Sequence, residues 1–329
     1  MYYRKKKGTG FTYQDKKGNT IKDEKLKQWF KSLVIPPAWT DVEIAAKKSA
    51  DLLVTGRDDK GRKQYIYNPK YRAQKEAEKF DRIISFADQL EHARCVTGQH
   101  MRKRQMCREK VLATMVRLLE TAFFRPGSEA YTKQNKSYGL TTLRSKHLKI
   151  DGDEMIFSYR GKSGKDQERT IIDKKLAKIV QELDDLPGYE IFKYLDEQDN
   201  IIHVKSEDLN CYIREIMGDA FSAKDFRTWS GTMIAAIALD ELGAVEENDQ
   251  KLLDKNIREA VIKVSELLGN TPAVARSSYI DPRIVEEYEN GKTLKFFEKE
   301  IKKLLKKQEN LSVQEIGVLY MLKHRLQEN

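Results

Sequence analysis

Apolar and polar positions change their period partway along the chain. Over roughly the first 75 residues the apolar positions alternate in short runs broken by turn residues. GFTYQ and NTIK flank the turn Asp15-Lys-Lys-Gly18-Asn19. Val42 to Ile44, Leu52 to Val54 and Gln64 to Tyr67 read as strands, the last two joined by a hairpin turn at Asp58-Asp-Lys-Gly61. One short amphipathic helix interrupts them at Lys22 to Leu33, with Leu26, Trp29, Phe30 and Leu33 on one face and Pro36-Pro37 beyond its end. From Tyr71 to Leu90 the period becomes helical, and it stays so over 106–124, 173–184, 206–217, 232–242, 250–268, 282–289, 293–307 and 312–327. The last two are Lys-rich on one face and read as a solvated tail bundle. One β interruption stands inside this region: Gly139 to Leu143, Leu148 to Ile150, Met155 to Arg160 and Arg169 to Ile172, with turns at Asp151-Gly-Asp and Gly161-Lys-Ser-Gly164. The expected fold class is therefore α+β. A small β-rich N-terminal domain, 1–77, precedes a larger, mainly α domain, 78–329, with an inserted β-hairpin or small sheet.

Length and composition fit that division. At ~150 residues per domain, 329 residues predict about two domains, and 40% hydrophobic residues suffice for a core. The longest apolar run, Met233 to Leu239, is far short of the ~20 residues of a membrane span. No apolar stretch follows the basic start MYYRKKKGTG, so no secretory signal is expected. Cys95, Cys107 and Cys211 form no CxxC pair, which argues against a disulfide scaffold and fits a reducing cytoplasm, with a nucleoid association if the host is bacterial.

The net charge of +10 is unevenly spread. Residues 1–75 carry 19 basic and 8 acidic side chains, and residues 101–150 carry 12 and 3. An acid-rich stretch around Asp240 to Asp249 offsets the second zone. Two readings stand: an electrostatic footprint for a polyanion, or a solvated lysine-rich surface.

Common chemistries find little support. The chain has no GxxxxGK[ST], no GxGxxG after a strand, no HExxH and no GxSxG. His92, His100, His147, His203 and His324 lack metal-ligand spacing, and His92 and His100 read as partly exposed helix residues. What remains is a set of basic residues at unusual places. Arg125 ends the apolar run Thr121-Ala-Phe-Phe-Arg125-Pro126-Gly127. Lys162 sits in the turn Arg160-Gly-Lys162-Ser-Gly164. Lys224-Asp-Phe-Arg227-Thr-Trp229 opens a helix, and Tyr279 lies in Arg276-Ser-Ser-Tyr279-Ile-Asp-Pro282. Taken singly, each arginine reads equally as a surface or salt-bridge residue and the tyrosine as one of fifteen.

In order, these residues make Arg, Lys in a β-hairpin, Lys-x-x-Arg, Tyr. That constellation resembles the type IB DNA topoisomerases, in the short form found in poxviruses and many bacteria. The likeness runs over nearly the whole chain. Ile35-Pro-Pro-Ala-Trp-Thr-Asp-Val42 and Thr55 to Tyr67 resemble that family's DNA-clamping β domain. Tyr138-Gly-Leu-Thr-Thr-Leu-Arg144, Gly161-Lys162, Lys224-Asp-Phe-Arg-Thr228 and Gly269-Asn-Thr-Pro272 through Tyr279 resemble its catalytic domain.

The resemblance implies a DNA transesterase that relaxes positive and negative supercoils. Tyr279 would attack a backbone phosphodiester, giving a 3′-phosphotyrosyl bond and a free 5′-hydroxyl. A phenol of pKa ~10 is a poor nucleophile near neutral pH. Arg125 and Arg227 would clamp the non-bridging oxygens through planar, permanently charged forks. Lys162 would protonate the leaving 5′-oxygen, with Lys224, one helical turn before Arg227, joining the relay. No general base for Tyr279 is visible beyond water or the phosphate itself. Religation would need no ATP, and the cations would replace a metal, so no cofactor and no metal are expected. The poxvirus and eukaryotic pattern has histidine nine residues before the tyrosine, where this chain has Asn270. Asparagine can donate a hydrogen bond to a phosphate oxygen but carries no proton or charge, and Asn270 after Gly269 also reads as a helix C-terminus.

The expected partner is double-stranded DNA, gripped by a monomer closing as a clamp through the segment near 75–80. Alternation places Lys63, Tyr65 and Tyr67 on one strand face and Arg62 and Gln64 on the other. By resemblance Gln64, Tyr65 and Tyr67 are DNA-binding, while Arg62 and Lys63 would bind phosphate; an exposed edge strand with core tyrosines is the competing reading, and Tyr131, Lys133 and Lys136, before the β segment of the second domain, are expected phosphate contacts. Two other classes stay open. A tyrosine recombinase shares the core but normally carries His where Lys224 stands, and works as a tetramer on paired sites. A DNA-binding protein without chemistry would not need Arg125, Lys162, Arg227 and Tyr279 together.

Overall fold

A computed structural model describes residues 1–245, 249–305 and 310–327. Part of the acidic stretch before Asp249 and the end of the helix expected over 293–307 lie outside the described residues. The chain divides into two compact units, Met1–Lys79 and Phe80–Asn329.

The first unit is a five-stranded antiparallel sheet in the order β2-β1-β3-β4-β5, formed by β1 (Tyr2–Lys7), β2 (Gly10–Gln14), β3 (Thr40–Ile44), β4 (Leu52–Arg57) and β5 (Lys63–Tyr67). The segment GFTYQ pairs backward with β1 rather than forward with NTIK, which makes only the bridge Gln14–Thr20. Helix α1 (Glu24–Ser32) starts at an Asp23 cap, whose carboxylate accepts from the Lys25 and Leu26 amides. It buries Phe30 among Tyr2, Tyr13 and Trp29, with ring centroids 5.2, 4.7 and 5.3 Å away. Val42, Ile44, Leu53 and Val54 complete this core. Arg4 is buried within the Lys-rich β1, where it donates to the carbonyls of Ile35, Pro36 and Trp39 and so fixes the Pro-Pro loop.

Helix α2 (Pro69–His100) is ten residues longer than expected at its C-terminal end. The second unit then packs α3 (Arg108–Ala122), α5 (Lys174–Asp184), α6 (Ser206–Met217) and α7 (Ala223–Leu242) into one large core, beside α8 (Gln250–Leu268), α10 (Pro282–Glu289), α11 (Glu298–Leu304) and α12 (Val313–Gln327). Helix α3 is buried almost all round, from Val111 to Leu119. So is α7, which begins nine residues before the 232–242 segment expected from periodicity. A helix apolar on all sides has no stripe to reveal its start.

The β interruption is a three-stranded antiparallel sheet, β6 (Leu148–Asp151), β7 (Glu154–Arg160) and β8 (Asp166–Ile172). Gly139 to Leu143, expected as a strand, is instead a buried 3-10 turn at Leu140–Thr142, closed by the Thr142 hydroxyl accepting from the Gly139 amide. Its amides of Leu140 and Thr141 donate to the carbonyls of Arg125 and Pro126, so this turn fixes the chain just after α3. The alternation of the sequence did not show three smaller elements: α4 (Glu129–Asn135), the strand pair β9 (Lys193–Leu195) and β10 (Ile201–His203), and α9 (Pro272–Ser278). Among the described residues no helix is long and apolar enough to cross a membrane.

Candidate active site

Helix ends build the central cluster of the second unit. Helix α3 stops at Phe123, which adopts a left-handed conformation at φ 56°, and two residues later comes Arg125. Helix α8 stops at Gly269, φ 62°, and Asn270 follows. The Asn270 amide donates back to the Ser265 carbonyl, as expected for a glycine-terminated helix. A helix end leaves carbonyls without intrahelical partners, and these carbonyls hold the two arginines. Arg227, 2% exposed, donates to the carbonyls of Phe123 and Leu268. Arg125 donates to the Gly269 carbonyl at 2.8 Å and to Asn270 Oδ1 at 2.5 Å.

Tyr279 lies at the end of α9, whose start is set by the Thr271 cap and Pro272. The Arg227 guanidinium carbon stands 5.1 Å from the centre of the Tyr279 ring. Burial pushes the Tyr279 phenol up, but Arg227, by charge and hydrogen bonding, and then Arg125 and Lys224 outweigh it, leaving the phenol below its ordinary value. Burial and the neighbouring Arg125 pull the Arg227 guanidinium down to about 10. Arg125 is likewise lowered, first by burial and then by Arg169, with Tyr279 and Tyr159 opposing. Among the described residues no carboxylate pairs with Arg125, Arg169 or Arg227. Buried nitrogens in the cluster also lack partners there: Arg227 Nε, Arg169 Nε and Asn270 Nδ2. A positive, donor-rich and partly dry arrangement of this kind can receive an anion.

Four residues singled out in the sequence thus come together: Arg125, Arg227, Asn270 and Tyr279. Lys224 is exposed in the first turn of α7, close enough for its charge to bear on Tyr279. Lys162 is exposed in the β7–β8 turn, where Ser163 and Gly164 take left-handed conformations, and no described residue holds its amine. That turn is anchored to the cluster indirectly. The Gln167 side chain packs so closely on Gly161 and Gly269 that a Cβ there would come within 2.8 Å of Gln167 Cγ and 2.3 Å of Gln167 Oε1, respectively. Arg169 is the residue that sequence reading missed. The alternation of Gln167, Arg169 and Ile171 along β8 was the signal that it faces inward. Among the described residues no group of His, Cys, Asp or Glu could hold a metal ion.

The other candidates fall elsewhere. In the first unit Lys63, Tyr65 and Tyr67 share the exposed face of β5, and Gln64 lies on the other. Tyr65 and Tyr67 stack with centroids 6.1 Å apart, and Tyr71 extends the stack at 5.9 Å. Lys63 stands over Tyr65 and Lys75 over Tyr71, each at 5.7 Å. Arg62 is engaged at home: its Nε donates to Asp58 at 2.8 Å, and Gln64 donates to the same carboxylate at 2.9 Å. Arg62 hydrogen bonding and the turn amides hold Asp58 down at about 2. In the second unit Tyr131 and Lys133 are exposed on α4, and Lys136 takes a left-handed conformation just after it.

Two family models match successive parts of the chain. Residues 68–308 match the family model of the eukaryotic DNA topoisomerase I catalytic core, and residues 10–58 match that of the bacterial DNA topoisomerase IB N-terminal domain. The chain is 33% identical over 294 residues to a DNA topoisomerase 1B of Acanthamoeba polyphaga mimivirus, covering 88% of each chain. It is 26% identical over 263 residues to the DNA topoisomerase 1B of Vaccinia virus (strain Copenhagen), covering 77% of this chain and 78% of the relative. A DNA topoisomerase 1 of Rabbit fibroma virus (strain Kasza) is 23% identical over 308 residues, covering 84% and 88%.

Proposed function

The chain belongs to the type IB DNA topoisomerases, and from that premise we propose that it relaxes supercoils of either sign by cutting and resealing one strand through Tyr279. The observation that carries this reading is the phenol of Tyr279 beside two guanidiniums that no carboxylate among the described residues neutralises.

In the cleavage step the Tyr279 oxygen attacks the scissile phosphorus and loses its proton to water or to the phosphate. The bond from phosphorus to the 5′-oxygen breaks as the 3′-phosphotyrosyl bond forms. Arg125 and Arg227 stabilise the charge that grows on the non-bridging oxygens, where losing one donor typically costs ~3–4 kcal/mol. Asn270 is held by Arg125 through Oδ1, so its Nδ2 is left to donate to a phosphate oxygen. Lys162, on its turn, gives a proton to the departing 5′-oxygen, and Lys224 serves the same relay. Religation is the reverse transfer. The ester conserves the bond, so the cycle runs without ATP, and the cations supply the charge a metal would.

Double-stranded DNA is the substrate in this reading. The exposed tyrosines of β5 with Lys63, and Tyr131, Lys133 and Lys136 around α4, serve as its contacts, with Arg62 ordering the β4–β5 turn and Gln64 beside it. A monomer closing its two units around the duplex, in the cytoplasm, completes the proposal. The test is relaxation of positively and negatively supercoiled plasmid in excess EDTA without ATP, with Tyr279→Phe alongside. Relaxation of both plasmids by the unmodified protein, with no covalent DNA adduct from the variant, is expected. DNA binding without relaxation would overturn the reading.

A further inference from the structure

The second unit holds a third guanidinium beside the two already discussed, and neither the resemblance nor the catalytic scheme assigns it a task. Arg169 lies on the inward face of β8, opposite Phe157 of β7, with Tyr159 paired to Gln167 two residues along the ladder. An inward-facing arginine normally has a carboxylate partner, because an unpaired buried charge is costly. Arg169 has no such partner among the described residues. Its Nη2 donates to Gln167 Oε1 at 2.9 Å, Nη1 makes a long 3.4 Å contact with the Glu168 carbonyl, and the guanidinium also bears on the Tyr159 phenol by charge and hydrogen bonding. Its Nε is buried and unpartnered. It also acts by charge on Arg125 and Arg227, which repels all three cations in the absence of an anion.

Gln167 explains how Arg169 stays there. Its amide oxygen accepts from Arg169 and packs against Gly269, the residue whose carbonyl accepts from Arg125. The same side chain rests on Gly161, next to Lys162. One glutamine therefore links the Lys162 turn, Arg169 and the carbonyl that orients Arg125.

We propose that Arg169 is a third DNA-backbone ligand of this site, donating to a phosphodiester oxygen alongside Arg125, and that Gln167 is the positioning residue that aims it. The inference rests on the topoisomerase reading for the identity of the anion. Its test is made separable from that reading by measuring non-covalent duplex binding, which needs no chemistry.

In the Tyr279→Phe background, binding of a linear duplex is titrated over a range of salt. Losing one phosphate contact lowers the slope of log affinity against log salt by about 0.9, and Arg169→Ala is expected to show a fall of that size. It is also expected to weaken binding about tenfold at low salt. Arg169→Lys is expected to recover most of the slope, since it keeps the charge, and Gln167→Ala to lose affinity in the same direction but less. With Tyr279 present, Arg169→Ala is expected to slow single-turnover adduct formation at least tenfold. An unchanged slope with Arg169→Ala would overturn the proposal. So would a lowered melting temperature with no rescue by lysine, which would mark Arg169 as a strut. Failure of the unmodified protein to relax plasmid would count against the topoisomerase reading alone, while the salt slope would still decide whether Arg169 binds the backbone.

Discussion

Gly139→Ala tests whether Arg125 owes its placement to a backbone-on-backbone contact. Gly139 sits against the segment that carries Arg125: a Cβ built there would lie 2.6 Å from both Cα and N of Gly127 and 2.8 Å from the Arg125 carbonyl oxygen. Ordinary contact begins at 3.4 Å, so the two segments must part by about 0.8 Å, and no flexible side chain is available to yield. The hydrogen bonds from the Leu140 and Thr141 amides to Arg125 and Pro126 hold the same segments together and must stretch. Overpacking of this kind costs ~1–3 kcal/mol, or roughly 2–12 °C in melting temperature for a unit of this size. The functional effect is expected to be larger. Displacing a catalytic group by ~1 Å commonly costs about 100-fold. Single-turnover formation of the Tyr279 adduct should therefore slow ~100-fold, while non-covalent duplex affinity stays within a few-fold. Gly152→Ala is the control: its backbone is left-handed, φ 60°, where that of Gly139 is extended, but it has open space around it. It should show only the ~1–2 kcal/mol strain of that conformation and full cleavage activity. Adduct formation by Gly139→Ala within threefold of the unmodified rate would refute the argument.

Other contacts carry further expectations. Cations hold the Tyr279 phenol below its ordinary value, so the single-turnover cleavage rate should rise with pH and level off below ~10. Lys224→Gln removes one of those cations and should move that inflection upward; a fixed or lowered inflection would contradict the assigned cause. Arg94 bridges the mostly buried carboxylates of Glu120 and Glu315, so Arg94→Met should cost ~3–5 kcal/mol by leaving both charges under-compensated, read as a melting temperature lower by roughly 6–20 °C. His147 is buried, accepts the Arg144 amide through Nδ1, and is pulled down to about 4, by burial first and then by Lys146 and Arg144. The folded value lies below the unfolded ~6.5, so the unfolded chain binds the extra proton first. Stability should be complete above pH ~6.5 and fall as pH drops toward 4, and His147→Asn should flatten that part of a stability-against-pH curve.

How much of this was legible depends on what each residue's neighbours in sequence revealed. The β4–β5 hairpin was readable because Asp58 and Gly61 are turn residues and the strands alternate; in the structure Lys63, Tyr65 and Tyr67 do share the exposed face. The Lys162 turn was readable from Gly161 and Gly164, of which Gly164 takes a left-handed conformation. Gly139 to Leu143 misled because β-branched Thr141 and Thr142 between two leucines fit a strand as well as a turn buried on all sides, and only tertiary contacts with residues 125–127 choose between them. Strand β1 was hidden by its lysines, which left Arg4 looking like one more solvated charge although it ties down three carbonyls. Arg169 was hidden the same way, inside the polar run Asp166 to Thr170. Arg125, Arg227 and Asn270 lie far apart in sequence, and their meeting depends on where α3 and α8 end, which side-chain periodicity does not fix.

Those helix ends also answer a physical difficulty. A carboxylate would position a guanidinium firmly, but it would cancel the charge that the proposed phosphate ligand would meet. A backbone carbonyl accepts the same hydrogen bonds while carrying no net charge. At a helix C-terminus it adds the partial negative charge of the helix dipole, which lessens the repulsion between neighbouring cations. Phe123, Leu268 and Gly269 supply three such carbonyls from the ends of α3 and α8. The arginines are thereby held in place and left electrostatically unsatisfied. The unpartnered Arg227 Nε and Asn270 Nδ2 are the local expression of that state. Gly269 is central to it because a left-handed turn allows consecutive carbonyls, Leu268 and Gly269, to serve different arginines. A β-branched residue at that position would strain the turn and push against Gln167, disturbing both arginines and the Lys162 turn at once.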